Sequence, residues 1–255
     1  MKQKLYARHT NIQKLPIMMN IIYTIKHILK PLAEFIFKWR TLRELFHGAA
    51  YFVAFSDWRR ANPCQSFYGP LDVRYDMYTA VAKQENLDGP VCYLEFGVHQ
   101  GESIRWWTKF NTHKDSIFWG FDSFEGLPEF FNPSAKKGKF STGGKIPDIA
   151  DPRCSFIVGW FNNTLLRFLN ETEMPHRRVI HLDADLYSST LFVLTILAPR
   201  LQPGDILIFD EFRELIHEFR AFWDFCGAYP HTFQAIAMQN HYNRVVVKVL
   251  SGFKP

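Results

Sequence analysis

No C-x-x-C pair occurs in this sequence, and its four cysteines, Cys64, Cys92, Cys154 and Cys226, lie far apart. That spacing argues against a zinc knuckle or a disulfide framework and makes a reducing cytoplasm the expected compartment. An unbroken apolar run of about 20 residues, the length needed to span a bilayer, is also missing. The nearest approach, Ile17 to Phe37, is broken by Lys26, His27, Lys30, Pro31 and Glu34. No small-residue cleavage site of a secretory signal follows it. Internal repeats and low-complexity segments are absent. So is the G-x-G-x-x-G fingerprint of a dinucleotide site.

What is there has globular proportions. The 255 residues are 47% apolar and 22% charged, enough for one α/β domain with a sizeable core. The net charge of +5 is uneven: residues 1–60 carry 11 Lys/Arg against 3 Asp/Glu, the remainder 19 against 22. Two regions are therefore expected, a basic helical extension over 1–60 and a nucleotide-type domain over 71–255, joined by a Pro/Gly/Asn-rich link at 62–70. Ile21, Ile25, Ile28, Leu29 and Leu32 recur at helical spacing, with Lys26 and Lys30 off the stripe. That pattern suits a peripheral helix on an anionic membrane, or one packed on the domain or on a second subunit.

The rest of the chain is organised around Val91 to Ser103, VCYLEFGVHQGES. An apolar strand, an acid-plus-glycine turn and a helix from Glu102 to Phe110 make the opening of a doubly wound nucleotide-binding sheet. Aligned on Gly97, the second and third fingerprint positions are His99 and Glu102. A pyrophosphate there meets side chains and a negative charge, so NAD or FAD fits poorly. S-adenosylmethionine (SAM) carries no phosphate, and Glu95 can face its positively charged methionine end. An ordinary strand-turn-helix with no ligand is the plain alternative.

Further strands are expected at Ile117–Asp122, Cys154–Val158, Val179–Ala184, Asp205–Phe209, Thr232–Met238 and Arg244–Leu250. Helices are expected at 74–85, 163–170, 188–197 and 214–226. The expected fold class is α/β, a Rossmann-like sheet of seven mostly parallel strands ending in an antiparallel hairpin, an ending that a SAM-methyltransferase sheet has and a simple dehydrogenase domain lacks. Residues 129–152, rich in Pro, Gly, Lys and Ser, read as a lid or acceptor loop, or as a mobile insertion. Its Lys136, Lys137, Lys139 and Lys145 can meet an acidic acceptor or simply face solvent.

Acids stand at four strand ends: Glu95, Asp122, Asp183 with Asp185, and Asp210 with Glu211. Asp122 ends the second strand, where an acid holds the ribose hydroxyls of a nucleoside. Trp160 is placed near an adenine. Side-chain alternation sends Asp183 and Asp185 to one side, and neighbouring strands bring Asp185, Asp210 and Glu211 together. Three such carboxylates raise one another's pKa unless a cation joins them, and oxygen-only ligands favour Mg²⁺ or Ca²⁺. Alternatively, Asp210 and Glu211 cap the next helix. His99 is a further candidate beside the cofactor turn, and Trp106, Trp107, Trp119 and Trp223 are assigned to the core.

LEFGVHQGES, GFDSFEGLPE, GWFNNTL, HLDADLYSSTLFVL and GDILIFDEF, in that order and spacing, resemble the macrocin-type (TylF/MycF-like) sugar O-methyltransferases. The resemblance covers roughly residues 75–250. It implies the class I SAM-methyltransferase fold, SAM-dependent methylation of a sugar hydroxyl, a bound Mg²⁺ and a homo-oligomer. It puts Glu95, Gly97 and Gly101 at the methionine end, Asp122 and Ser123 at the ribose, and Asp185 as metal ligand and base. Two positions depart from the family pattern: Glu211 stands where a second aspartate is usual, and Asp205 where a glycine is usual. On both grounds the expected cofactor set is Glu95, Gly97, Gly101, Ser103, Asp122, Ser123, Trp160 and Asp183. The expected metal set is Asp185, Asp210 and Glu211. A small-molecule or glycan hydroxyl acceptor follows, and no nucleic acid. The rival readings are a non-catalytic SAM-fold module docked through residues 1–60 and an NAD(P)-dependent oxidoreductase.

Overall fold

The computed structural model describes residues 40–253. The apolar stripe between Ile17 and Phe37 falls outside the described residues. The chain divides into two compact units, Met1–Ala50 and Tyr51–Pro255. Helix α1 (Arg40–Ala61) contributes its residues from Tyr51 onward to the second unit. There Phe55 and Trp58 are buried against Phe212, Phe219 and Tyr242.

The second unit is an eight-stranded sheet with helices on both faces. In chain order the elements are β1 (Gln65–Phe67), α2 (Val73–Gln84), β2 (Val91–Phe96), α3 (Glu102–Phe110), β3 (Ile117–Asp122) and β4 (Cys154–Val158). Then come α4 (Phe161–Glu171), β5 (Arg177–Leu182), α5 (Tyr187–Leu197), β6 (Ile206–Phe209), α6 (Glu218–Ala228), β7 (Thr232–Gln239) and β8 (Arg244–Ser251). The spatial order is β1-β7-β8-β6-β5-β2-β3-β4, and β8 alone runs against its neighbours. The Rossmann-like sheet with its C-terminal hairpin is as expected, with one strand more than seven. That extra strand, β1, lies inside the stretch expected to be a link and pairs parallel to β7. Two exposed polar residues and a half-buried Phe67 are too few to show an alternation, so nothing local announces it.

The central strands are apolar because both faces are covered. All six residues of β2 are buried. One face packs on α4, α5 and α6 around Leu94, Phe96, Leu182 and Phe209; the other packs on α2 and α3 around Tyr93, Trp107 and Val179. Trp107 and Trp119 are buried, whereas Trp106 and Trp223 are half-buried at the core's margin. Two boundaries differ from expectation in ways that matter. β5 stops at Leu182, so Asp183 and Asp185 stand on a turn and strand alternation does not set their direction. α6 begins at Glu218 rather than Glu214, and His217, not Asp210 or Glu211, is its N-cap residue.

The strand order reverses around β2, with β3 on one side and β5 on the other. A doubly wound sheet opens a crevice at that point, beyond the carboxyl ends of the strands.

Candidate active site

A cavity of about 720 Å³ occupies that crevice. It is lined by Gly97 and Asp122 from the ends of β2 and β3, by Ser123 and Trp160, by Asp183 and Asp185 after β5, and by Asp210 and Glu211 after β6. Eight expected site residues thus share one wall. Glu95, Gly101 and Ser103 do not line it.

Gly97 is required by its neighbour strand. Its φ is +94°, and a Cβ there would lie 1.8 Å from the Asp183 carbonyl oxygen. Only glycine lets the turn after β2 lie against the turn after β5. Gly101 ends that turn as the N-cap residue of α3, beside Pro147.

Asp122 organises the cofactor turn directly. Its Oδ2 accepts the backbone N–H groups of Val98 (2.9 Å) and His99 (2.8 Å), and its Oδ1 accepts that of Phe124 (2.7 Å). One carboxylate therefore ties the turn after β2 to the turn after β3, with one lone pair, on Oδ1, left for a hydroxyl donor in the cavity. Ser123 accepts the Glu125 N–H at 3.2 Å.

Glu95 points into the core. Its Oε2 accepts the Tyr93 hydroxyl at 2.5 Å and lies 3.7 Å from Nδ1 of the fully buried His181. On the far side, His181 Nε2 is 3.7 Å from Asp210 Oδ1, too long for a hydrogen bond and close enough for strong attraction. Burial alone would lower the His181 pKa; Asp210 and Glu95 outweigh it and push it up to about 9. Asp210 is also held by Arg244 of β8, through Nη2 at 2.7 Å and through Nε. Burial works against its charge, but His181 and Arg244 prevail and keep it well below the usual carboxylate range.

The other three acids behave as crowded carboxylates do. Burial, reinforced by Asp210, raises Asp183 well above the ordinary value. Asp185 is raised to about 6, mainly by burial, and Glu211 to about 8, by burial and then by Asp185 and Asp210. Glu211 Oε2 is buried with no hydrogen-bond partner, so hard oxygens and an orphaned acceptor fit a small divalent cation there. Among the described residues, His181, Asp183 and Asp210 also bring donor atoms within 4.8 Å of one another. With its pKa raised by Asp210 and Glu95, the His181 imidazole has no spare lone pair at neutral pH, which argues against that trio as a metal site. Asp210, bonded through both oxygens to Arg244, has less to offer a metal than its neighbours.

Sequence reasoning treats His181 as one of several scattered structural histidines and misses Arg244. His181 sits in the apolar end of β5, VIHL, and Arg244 opens the apolar run RVVV of β8, which was the available signal. It also gave Asp205 no role. Asp205 is buried and accepts Arg178 Nε (2.8 Å), the Arg178 N–H (3.1 Å) and the Gln202 N–H (2.8 Å), locking the start of β6 to β5.

Residues 145–229 match the family model described as Macrocin-O-methyltransferase (TylF). Mycinamicin III 3''-O-methyltransferase of Micromonospora griseorubida is 27% identical over 168 residues, 54% of this chain and 63% of that protein. A tetracenomycin-C rhamnosyl 4'-O-methyltransferase of Streptomyces olivaceus is 31% identical over 158 residues, 50% of this chain and 57% of that protein. The chain thus spans a little under two thirds of the curated relatives it matches. The crystal structure of CalS11, a calicheamicin methyltransferase, superposes with a TM-score of 0.55 at 20% identity, over 70% of this chain and 80% of that one. The resemblance read from the motifs and the Rossmann-like fold class are both borne out. These matches lend no support to the oxidoreductase or to the non-catalytic module. No described helix is long and apolar enough to cross a membrane.

Proposed function

We propose that this relative of the macrocin O-methyltransferases is a SAM-dependent O-methyltransferase acting on a hydroxyl of a sugar or glycosylated metabolite. One observation carries the reading: Gly97, Asp122, Asp185 and Glu211 line a single cavity at the switch point of the sheet. Asp122 holds the turn that meets the nucleoside and offers its remaining Oδ1 lone pair to a ribose hydroxyl. Trp160 supplies an apolar wall for the base, and Ser123 a hydroxyl beside it.

Asp185 is the base. With its pKa raised to about 6, it is ionised at neutral pH and still basic enough to draw off a hydroxyl proton. SAM supplies a methyl group on a sulfonium sulfur; the acceptor oxygen bonds to that carbon as the carbon–sulfur bond breaks, and S-adenosylhomocysteine leaves. The proton ends on Asp185 Oδ and passes to solvent through the open cavity. Asp183, Asp185 and Glu211, with the free lone pairs of Asp210, would hold a Mg²⁺, whose contribution is to make the acceptor hydroxyl more acidic. His181 and Arg244 keep Asp210 ionised and fixed beneath this wall.

A cytoplasmic homo-oligomer belongs to the same reading, as does a basic extension that is separate from the chemistry. The test is Asp185→Asn, assayed for labelled-methyl transfer to a panel of glycosides. Turnover should vanish while S-adenosylhomocysteine still binds; an active variant removes the base assignment.

A further inference from the structure

Among the described residues, the cavity is lined by five carboxylates, Asp122, Asp183, Asp185, Asp210 and Glu211, and by a single lysine or arginine, Lys137. The acids stand on the strand ends that form its floor. Lys137 comes from the loop after β3 and is exposed at the rim.

That lysine sits on a turn fixed by backbone bonds. The Lys139 N–H donates to the Lys136 carbonyl at 2.9 Å, closing the turn Lys136-Lys137-Gly138-Lys139. The Gly138 N–H donates to the Leu127 carbonyl and the Leu127 N–H to the Lys139 carbonyl, both at 2.9 Å. Gly126 makes this docking possible: a Cβ there would lie 2.4 Å from the Lys139 carbonyl oxygen. Thr142 and Gly144 N–H groups both reach the Phe124 carbonyl, at 3.2 and 3.0 Å. The turn is thereby fastened to the segment that follows Asp122 and Ser123. Among the described residues, the ammonium groups of Lys136, Lys137 and Lys139 form no salt bridge; Lys139 lies 5.6 Å from the Phe140 ring centroid.

A neutral sugar needs no cation at the rim, and an anionic one is repelled by the acidic floor. The arrangement suits an acceptor whose hydroxyl enters the floor while its charge stays outside. Lysine is a point-charge partner for phosphate, and a fixed turn bearing three of them concentrates that attraction. We propose that the Lys136–Lys139 turn is a subsite for a phosphate or diphosphate ester on the acceptor sugar. The inference rests on the methyltransferase reading and names its substrate class. It places methylation before the glycosyl transfer that expels the phosphate as leaving group.

The test is calorimetric titration of inorganic pyrophosphate into the full chain saturated with S-adenosylhomocysteine, in EDTA so that no cation on the floor carries the anion. The wild-type chain should bind pyrophosphate more weakly as salt rises, and Lys137→Ala should lose about tenfold in affinity, the loss of one charge-assisted contact. Lys136→Ala/Lys139→Ala should weaken it further, with S-adenosylhomocysteine affinity unchanged throughout. Parallel titrations with UDP and with vesicles carrying a polyprenyl phosphate separate a nucleotide carrier from a lipid one. A wild-type chain that binds S-adenosylhomocysteine but not pyrophosphate overturns the subsite, as does a triple lysine variant that binds pyrophosphate normally. Failure to bind S-adenosylhomocysteine overturns the underlying reading instead.

Discussion

Replacing Asp122 by alanine should damage two things that can be measured apart. The carboxylate accepts three backbone N–H groups at 2.7 to 2.9 Å, two from the turn after β2 and one from the turn after β3. A charged acceptor contributes about 1.5–3 kcal/mol per bond when its donor is then stranded from water. His99 is exposed and Val98 is buried, so water replaces only part of the loss. The net destabilisation is therefore about 2–4 kcal/mol, or a fall in Tm of roughly 5–15 °C for a domain of this size. Urea denaturation reads that quantity. Titration calorimetry on the folded variant reads the second, S-adenosylhomocysteine affinity, which should weaken at least about tenfold because the turn and its hydroxyl acceptors go together. Asp122→Asn keeps the shape but turns an amide N–H toward one set of donors, and should fall between the two. Unchanged stability would refute the tie between the turns. Unchanged affinity in the alanine variant would remove the ribose assignment.

Asp205→Ala leaves Arg178 buried without its partner and should cost about 3–5 kcal/mol; adding Arg178→Met should recover part of this in denaturant titrations, and a double variant no better than the single refutes the pairing. Glu85 accepts Arg177 Nη2 at 2.7 Å and Lys248 Nζ at 2.8 Å, and these partners outweigh burial to lower its pKa. Its stabilisation is thus present above the ordinary glutamate value of about 4.3 and is lost as pH falls through the lowered one. Glu85→Gln should be less stable than wild type at neutral pH by about 1–2 kcal/mol, with the gap closing in acid; a constant gap contradicts this. EDTA should suppress methyl transfer and Mg²⁺ should restore it, whereas full activity in EDTA removes the cation from the account.

The parts of the fold that follow from local pattern were legible. β2, α3 and β3 are read to the residue because an apolar strand, a glycine turn and a capped amphipathic helix each carry their own signal. The wall of acids was legible too, since carboxylates at strand ends have few structural uses. What could not be read depends on partners distant in sequence. Asp210 resembles its neighbours as a letter, but His181 and Arg244, the latter 34 residues away, make it the one strongly acidic member of the group. Glu95 follows the same rule as Asp122 in sequence and is turned inward by Tyr93 and His181. Asp183 and Asp185 meet the cavity through a turn in which Asp185 has φ +55°, a backbone choice no periodicity reveals. β1 is too short and too polar to show a period.

The account depends on the bend at Gly97 receiving a sulfonium nucleoside. Calorimetric titration of the wild-type chain with S-adenosylhomocysteine, and separately with NAD and NADP, tests this most directly. The expected result is one S-adenosylhomocysteine bound per chain and no heat from either dinucleotide. Dinucleotide binding with no S-adenosylhomocysteine binding would contradict it.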